Sequence, residues 1–243
     1  MDPITRFNKE RKEAIKLMGK DNELKKKSLE WIIASHKYNY HYNFTWLGRP
    51  IIHYPNDVML LQEIIWDIKP DLIIETGIAH GGSIVFSASM LELIGKGEVV
   101  AVDIEIRKHN RIEIENHPMY KRITLIEGSS VDSNVIKRIE SIANSKKRVM
   151  VFLDSLHTHD HVLKELRQYS KFVTKGSYIV CFDTYIKFFP KGYFKNKPWS
   201  VNKNPMTAVK SFLKENDSFM IDNSVIDKLC ITEAFDGYLK RIR

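Results

Sequence analysis

The chain contains little cysteine and no long apolar run. Only two cysteines, Cys181 and Cys230, occur among its 243 residues, and so few thiols exclude a disulfide-stabilised secreted scaffold and favour a reducing compartment. No apolar run approaches the roughly 18 residues of a membrane-spanning helix, and the first residues lack the apolar region of a signal peptide. We therefore expect a cytoplasmic protein without a transmembrane segment.

Acidic residues are outnumbered by basic ones. There are 38 lysines and arginines against 30 aspartates and glutamates, which gives a net charge of +8. This excess is compatible with anionic partners such as nucleic acid, a phosphorylated sugar or a lipid surface, and it leaves peripheral membrane contact open. Charge of this size also occurs in soluble proteins with no such partner, so it selects none of them. A hydrophobic content of 43% suffices for one large domain.

The N-terminal part differs in character from the rest of the chain. Residues 5–37 read as helical, and the stretch YNYHYNFTWLGRP, residues 38–50, is rich in aromatic side chains. We interpret residues 1–55 as a helical and aromatic extension, and residues 56–243 as the main domain. The aromatic stretch offers apolar surface for core packing or for contacts between subunits.

From residue 70 onward, short apolar runs alternate with amphipathic segments. Five runs are rich in apolar, often β-branched residues: 71–75, 98–103, 122–127, 148–154 and 177–183. Such runs, separated by helical patterns, are typical of parallel strands buried on both faces, and they predict a doubly wound α/β sheet. Two later runs, SFMIDN (218–223) and KLCITEAF (228–235), predict a hairpin-like pair that completes a mainly parallel, seven-stranded sheet at its edge.

The five central runs end in acidic residues. Four of these acids are candidates for a binding site, namely Glu75, Asp103, Asp154 and Asp183. In open α/β sheets, ligands bind in the crevice at the carboxyl ends of the strands. We therefore expect the four acids to be directed at one crevice.

The stretch ETGIAHGGS, residues 75–83, follows the first of these strands and predicts a ligand-binding turn. Gly77 and Gly81 permit close backbone approach to a ligand, and a helix is predicted to begin near Ser83. The stretch lacks the dinucleotide fingerprint G-x-G-x-x-G, because Ala79 replaces the second glycine. Glu75 would repel a pyrophosphate but suits a cationic amino group.

The acid at the end of the second strand completes this cofactor prediction. Asp103 stands where a carboxylate can accept bonds from two ribose hydroxyls. Ser129 or Ser130, after the third strand, is assigned to the adenine side. Together with Glu75 and the turn at Gly77, these residues favour S-adenosylmethionine (SAM) over NAD. The alternative is an ordinary α/β turn with a surface acid.

With these residues in place, the chain resembles the cephalosporin hydroxylase/rhamnosyl O-methyltransferase family. The resemblance covers most of the chain from about residue 40 onward, in the stretches YNFTWLGRPI (42–51), KPDLIIETGIAHGGS (69–83), EGSSVD (127–132), LDSLHTHDHVLKEL (153–166), FDT (182–184) and DGYLKRI (236–242). It implies a Rossmann-like class I methyltransferase fold, SAM as methyl donor and, in several members, a divalent metal at the acceptor site. It also implies a closed homo-oligomer and a sugar hydroxyl as acceptor.

The histidine-rich stretch LDSLHTHDHV, residues 153–162, raises the question of a metal cage. The histidines at 157, 159 and 161 would lie on one side only in an extended chain, whereas this segment passes from a strand end into a helix, so a three-histidine zinc cage is disfavoured. Asp154 and Asp183, at the ends of neighbouring strands, form an oxygen-rich site of the kind that Mg²⁺ prefers. His157 can take the hydroxyl proton as general base.

The resemblance supports these roles with one departure. In the sugar methyltransferases of this kind, an aspartate and the histidine three positions later bind metal and act as base, and Asp154 and His157 match them. Metal-dependent relatives carry a Glu-Asp pair at the end of the fifth strand, where this chain has Phe182 and Asp183. The metal therefore stays open: without it, Asp154 and Asp183 would orient the acceptor or His157.

The segment 187–205 interleaves five lysines with aromatic residues. We interpret it as a lid over the acceptor site, with a nucleic-acid-binding stripe as the less favoured alternative. For the whole chain we expect a SAM-dependent O-methyltransferase acting on a sugar hydroxyl of a glycan, glycolipid or glycosylated metabolite. The alternatives are an oxidoreductase of a hydroxylase pathway on the same fold, or a non-catalytic module that binds RNA or an anionic surface.

Overall fold

The computed structural model of the protein describes residues 1–243. Its strands are β1 (Phe44–Trp46), β2 (Arg49–Ile51), β3 (Leu72–Thr76), β4 (Glu98–Asp103), β5 (Ile123–Glu127), β6 (Val149–Leu153), β7 (Tyr178–Cys181), β8 (Phe219–Ile221) and β9 (Tyr238–Arg241). Its helices are α1 (Pro3–Met18), α2 (Asn22–His36), α3 (Pro55–Ile68), α4 (Gly82–Ile94), α5 (Lys108–Glu115), α6 (Ser133–Ala143), α7 (His159–Tyr169), α8 (Pro205–Glu215) and α9 (Asn223–Ile226). None of these helices has both the length and the apolar character that a membrane crossing requires.

Seven strands form one sheet in the order β5-β4-β3-β6-β7-β9-β8. The first five are parallel, whereas β9 pairs antiparallel with both β7 and β8. This confirms the predicted doubly wound, mainly parallel, seven-stranded α/β sheet. The chain runs from β3 to β4 on one side and returns to β6 on the other, so the order reverses at β3, the position where such sheets bind ligands.

Both faces of the sheet are covered, as the apolar strands require. Successive side chains of a strand point to opposite faces. Ile73 therefore packs with α3 and α4 on one side, whereas its neighbours Leu72 and Ile74 pack with α6, α7 and α8 on the other. A smaller cluster around Ile32 and Tyr54 attaches α2 to the main domain.

The aromatic stretch 38–50 contributes a two-stranded hairpin. β1 and β2 pair antiparallel, with Trp46 opposite Arg49. The two turn residues, Leu47 and Gly48, both have positive φ values, 46° and 86°, the pattern of a tight hairpin turn whose twist matches its strands. Trp46 packs edge-on against Phe86 of α4, which fixes the hairpin on the sheet domain.

The prediction of a final strand at residues 228–235 was wrong, because the last strand is β9 at Tyr238–Arg241. The backbone of the earlier segment is bound by a buried carboxylate: Asp57 of α3 accepts bonds from Glu233 N at 3.0 Å and from the Thr232 hydroxyl. The backbone amide of Glu233 therefore bonds to a side chain and not to a neighbouring strand. Gly237 then passes so close to β7 that a Cβ there would lie 2.1 Å from the Cys181 carbonyl oxygen.

Candidate active site

The sheet register brings the predicted acids to one edge. Thr76 lies opposite Leu153, and Leu153 lies opposite Cys181, so the residues that follow these strand ends leave the sheet at the same level. The amide of Asp154 still donates to the Thr76 carbonyl at 2.9 Å. The strand ends are therefore rigid supports for the side chains that follow them.

A cavity of about 580 Å³ opens at this edge. Seven of the residues predicted for the site line it: Gly77, Asp103, Ser129, Ser130, Asp154, His157 and Asp183. We call the part at Gly77, Asp103, Ser129 and Ser130 the cofactor end, and the part at Asp154 and Asp183 the carboxylate end. The cavity thus joins the two regions that the sequence assigned to cofactor and acceptor.

Gly77 is required by both its conformation and its surroundings. Its φ is +91°, and a Cβ at this position would lie 2.0 Å from the carbonyl oxygen of Asp154. Only glycine adopts this region readily and leaves space for such an approach. The turn is also braced from outside, because Asn110 donates to the Ala79 carbonyl at 2.9 Å and Arg49 donates to the His80 carbonyl.

Gly81 and Ser83 do not line the cavity. Gly81 is the N-cap of α4 with φ +85°, and a Cβ there would lie 2.6 Å from the Ile114 side chain, so its observed role is the packing of α4 against α5. Ser83 lines a much smaller neighbouring pocket, which shares Gly77 and Asp154 with the main cavity. The Ser83 hydroxyl donates to Glu75 Oε1.

Glu75 is buried behind the glycine turn. Its side chain is 2% exposed, and Oε2 has no hydrogen-bond partner. Burial raises the pKa of Glu75 to about 7, because a carboxylate loses its hydration inside the protein. An unpaired buried carboxylate oxygen is a costly feature that a cationic partner would relieve.

Asp103 is held in place by backbone amides. Its Oδ2 accepts from Ile78 N at 2.8 Å, and Oδ1 accepts from Glu105 N at 3.2 Å. Each carboxylate oxygen has a second acceptor position, so the side chain can still receive hydroxyl donors. The amide of Gly128 bonds to the Asp103 carbonyl at 2.8 Å, which fixes the start of the loop that carries Ser129 and Ser130.

Asp154, His157 and Asp183 gather at the carboxylate end. One ligand atom from each lies within 4.8 Å of the other two, close enough to hold one metal ion. His157 Nδ1 lies 3.3 Å from Asp183 Oδ2. Asp183 has φ +57°, a left-handed conformation that aspartate tolerates better than most residues and that is found at functional sites.

The electrostatics of the carboxylate end raise the pKa of both carboxyl groups and lower the pKa of the imidazole. Burial and the charge of Asp183 raise the pKa of Asp154 to about 7. Burial also raises the pKa of Asp183 to about 6. The pKa of His157 is lowered by burial, so its imidazole is neutral at neutral pH and retains a free lone pair.

Phe182 carries no functional group to this site. Its side chain is 2% exposed, and its ring lies against His53, with centroids 4.7 Å apart, and against Phe152. The position where metal-dependent relatives carry an acid is therefore part of the apolar core here. Any cation at the carboxylate end has to rely on other residues.

The two remaining histidines of the histidine-rich stretch lie on α7. His159 Nδ1 is 2.8 Å from the Thr207 hydroxyl, so His159 ties α7 to α8. His161 lines the cavity near its cofactor end, with Nε2 3.0 Å from the Ser130 hydroxyl. The three histidines thus have three separate environments.

The segment 187–205 packs mainly on the N-terminal extension. Phe189, Tyr193 and Phe194 surround His36 of α2. The segment reaches the site through Trp199, whose ring packs edge-on against His157 with centroids 4.8 Å apart. Its role as a lid over the acceptor stays a prediction.

Sequence reasoning missed three residues at the site. His41 and Tyr42 of the aromatic stretch and Glu233 line the cavity. Glu233 pairs with the buried His53, from a position 180 residues away in the chain. No spacing signal connects such distant residues, although Tyr42 belongs to a stretch whose resemblance to the family was noted.

Comparison with known proteins identifies the family of the chain. Residues 38–242 match the family described as rhamnosyl O-methyltransferase/CmcI. Rhamnosyl O-methyltransferase of Mycobacterium tuberculosis is 29% identical over 195 residues, which are 76% of this chain and 73% of that protein. A structure of CmcI with Mg and SAM has a TM-score of 0.56 at 15% identity, covering 83% of this chain and 78% of CmcI.

A second solved structure shares the fold. It is the MycE methyltransferase from the mycinamycin biosynthetic pathway, in complex with Mg, SAH and mycinamycin VI, with a TM-score of 0.51 and 15% identity over 87% of this chain and 54% of MycE. At these identities the structural likeness concerns the fold, whereas the family match runs through most of the sequence. The chain therefore belongs to the rhamnosyl O-methyltransferase/CmcI family.

Proposed function

We propose that this protein is a SAM-dependent O-methyltransferase that methylates a sugar hydroxyl of a glycan, glycolipid or glycosylated metabolite. One observation carries the proposal: the cavity that reaches Gly77 and Asp103 also contains Asp154, His157 and Asp183. A methyl donor at one end and a hydroxyl with its base at the other would meet in this single space. Such proximity is a main source of rate enhancement in group transfer.

The cofactor end fits SAM in charge and shape. The amino group of the methionine part suits the unpaired Glu75 Oε2, which needs a cationic partner. Gly77 leaves room for a ligand to approach the backbone, and we assign Asp103 to the ribose hydroxyls. We assign Ser129 and Ser130 to the adenine side, where His161 also lines the cavity.

The carboxylate end fits Mg²⁺ in its donor set. Asp154 and Asp183 supply oxygen ligands, and the spacing of one ligand atom from each of these residues and from His157 suits one ion. We propose that Asp154 and Asp183 hold Mg²⁺. The ion would supply Lewis acidity that lowers the pKa of the acceptor hydroxyl.

His157 takes the proton of the acceptor hydroxyl in this proposal. Its pKa is lowered by burial, so it is neutral and able to accept. Nδ1 lies 3.3 Å from Asp183 Oδ2, so we assign the ring proton to Nδ1, on the side of that carboxylate, and the lone pair to Nε2. Asp183 thereby also orients the ring, and the packing of Trp199 restricts its rotation. A positioned base of this kind contributes about 10²–10⁴-fold to the rate.

The sugar acceptor is proposed from the relatives and from the cavity rim. The curated relatives are named rhamnosyl O-methyltransferases, and MycE is described with mycinamycin VI bound. At the rim, the ring of Tyr42 is 54% exposed beside the carboxylate end. An exposed aromatic face with a polar tip suits a sugar ring, which has apolar faces and hydroxyl edges.

The alternative functions are not favoured. An NAD-dependent oxidoreductase of this fold would carry the glycine fingerprint G-x-G-x-x-G, which residues 77–82 of this chain lack. A module that binds RNA or an anionic surface would leave the buried Glu75 and the carboxylate end without purpose. Family membership and the cavity both point to methyl transfer instead.

The direct test is transfer of a labelled methyl group from SAM to a panel of rhamnosides and other deoxyhexosides. We expect incorporation into at least one sugar, mapped to one hydroxyl by NMR, and loss of incorporation in Asp154→Asn. Binding of S-adenosylhomocysteine (SAH) should persist in that variant. Failure of the wild-type protein to bind SAH by calorimetry would refute the proposal, whatever the acceptor.

Three further expectations from the sequence remain proposals. We propose that the protein forms a homo-oligomer, and that light scattering will give a mass above that of the 28.4 kDa chain. The division into an extension, residues 1–55, and a methyltransferase domain, residues 56–243, is retained, with His41 and Tyr42 of the extension lining the cavity. A cytoplasmic location is likewise retained as a proposal.

A further inference from the structure

A buried pair formed by a histidine and a glutamate lies beside the carboxylate end. His53 and Glu233 are each 3% exposed, and His53 Nδ1 bonds to Glu233 Oε1. Glu233 also lines the cavity together with Asp154 and Asp183. The proposed reaction assigns no role to Glu233, although burial of a carboxylate is expensive unless it serves a partner.

Glu233 is held at this place by a second buried network. Asp57 of α3 accepts from Glu233 N at 3.0 Å and from the Tyr238 hydroxyl at 2.8 Å. The Thr232 hydroxyl also donates to Asp57. The backbone on both sides of Glu233 is thus fixed, and its side chain is directed at His53 and the cavity by a rigid support.

Glu233 and Phe182 approach the same imidazole. The ring of Phe182 packs on His53, while the carboxylate of Glu233 bonds to His53 Nδ1. Glu233 therefore brings a carboxylate to the neighbourhood of position 182, where the strand end itself provides none. The pKa of Glu233 is raised well above its ordinary value by burial and by the charges of Asp57, Asp183 and Asp154, which places it in the same electrostatic group.

We infer that Glu233, held by His53, is the third carboxylate of the divalent-cation site. This inference rests on the cation binding of the proposed function and adds a residue to it. The carboxylate lies outside the set of ligand atoms that approach within 4.8 Å of one another. It therefore acts through one of the waters that Mg²⁺ keeps in protein sites, and the bond to His53 Nδ1 holds it in position.

The test uses Mn²⁺ alone as probe and the full-length protein without SAM. Free Mn²⁺ is measured by electron paramagnetic resonance during titration of the wild type and of Glu233→Gln, which keeps the shape but removes the charge. Residues that act on a metal through an intermediate contact change its affinity by about 10–100-fold, and we expect a loss of that size. Glu165→Gln is the matched control, because Glu165 is equally buried but does not line the cavity.

The outcomes separate this inference from the proposed function. Unchanged Mn²⁺ affinity in Glu233→Gln, or absence of Mn²⁺ binding by the wild type, overturns the role of Glu233, whereas SAH binding to the same samples tests the methyltransferase independently. If Glu233→Gln does not fold by circular dichroism, Glu233→Asp replaces it. The shortened side chain should still lower the affinity for Mn²⁺ by roughly fivefold or more. Wild-type Mn²⁺ affinity in that variant also overturns the inference.

Discussion

His157 Nδ1 lies 3.3 Å from Asp183 Oδ2, so the loop after β6 and the end of β7 are joined by a polar contact inside the cavity. The contact places one ring nitrogen beside a carboxylate and leaves the other for the acceptor. His157 and Asp183 are 26 residues apart in the sequence, but the strands that precede them, β6 and β7, are neighbours in the sheet. Their relationship is the structural basis of the proposed base catalysis.

Replacement of the proposed base should affect chemistry and not cofactor binding. We expect His157→Ala to lower kcat by about 10²–10⁴-fold, because a positioned base contributes that much. SAH affinity by calorimetry should stay within about twofold, since no cofactor contact is assigned to this side chain. His159→Ala is the control, because His159 bonds to Thr207 and does not line the cavity. Near-wild-type turnover in His157→Ala would move the base to another residue.

Replacement of Asp103, the proposed acceptor for the ribose hydroxyls, should weaken binding of the cofactor. We expect Asp103→Ala to reduce SAH affinity by about 1–3 kcal/mol, the usual cost of losing hydrogen bonds to a charged group. Part of this loss comes from the freed amides of Ile78 and Glu105. Asp103→Asn keeps the shape and one acceptor oxygen, so its loss should be smaller. Equal calorimetric affinity for all three proteins would remove Asp103 from the site.

Cofactor binding should release a proton at mildly acidic pH. The pKa of Glu75 is raised to about 7 by burial, and a cationic amino group beside it favours the ionised form, which lowers this pKa again. Affinity for SAH should therefore fall as the pH drops below about 7, with proton release visible in calorimetry as a dependence on the ionisation heat of the buffer. Glu75→Gln should bind more weakly and lose this dependence. The same proton release in that variant would assign it to another group.

The metal-free protein should lose stability as the pH rises. The pKa of Asp154 is about 7 in the folded protein, above its ordinary value of 3.8, so the folded state binds this proton more tightly than the unfolded state. The stability that this proton contributes is then greatest when the pH is below the ordinary pKa of aspartate, and it declines as the pH rises to about 7. A salt-bridged acid shows the opposite dependence on pH. Mg²⁺ binds the ionised form and should raise Tm more at pH 8 than at pH 5.5. Asp154→Asn should flatten both trends in thermal melts.

The sheet and most of the candidate site could be predicted from local patterns in the sequence. The strand at 98–103 has the predicted bounds, and the helix after the glycine turn begins at Gly82, next to the predicted Ser83. These signals are local, because apolar periodicity and turn glycines act over a few residues. Asp154 and Asp183 came together because parallel strands end at one edge. The environment of Glu233 depends instead on capture of its loop by Asp57 of α3, a contact between distant residues that no local pattern carries. For the same reason the segment 228–235 was mistaken for a strand.

A crystal structure grown with SAH and Mn²⁺ would locate both ligands in one experiment. We expect SAH across the ends of β3 and β4, with its amino group at Glu75 and its ribose at Asp103. We also expect an anomalous Mn²⁺ peak between Asp154 and Asp183, in the same cavity. SAH bound elsewhere, or an anomalous peak away from these two carboxylates in crystals that contain both ligands, would contradict the assignment of this cavity as the methyl-transfer site.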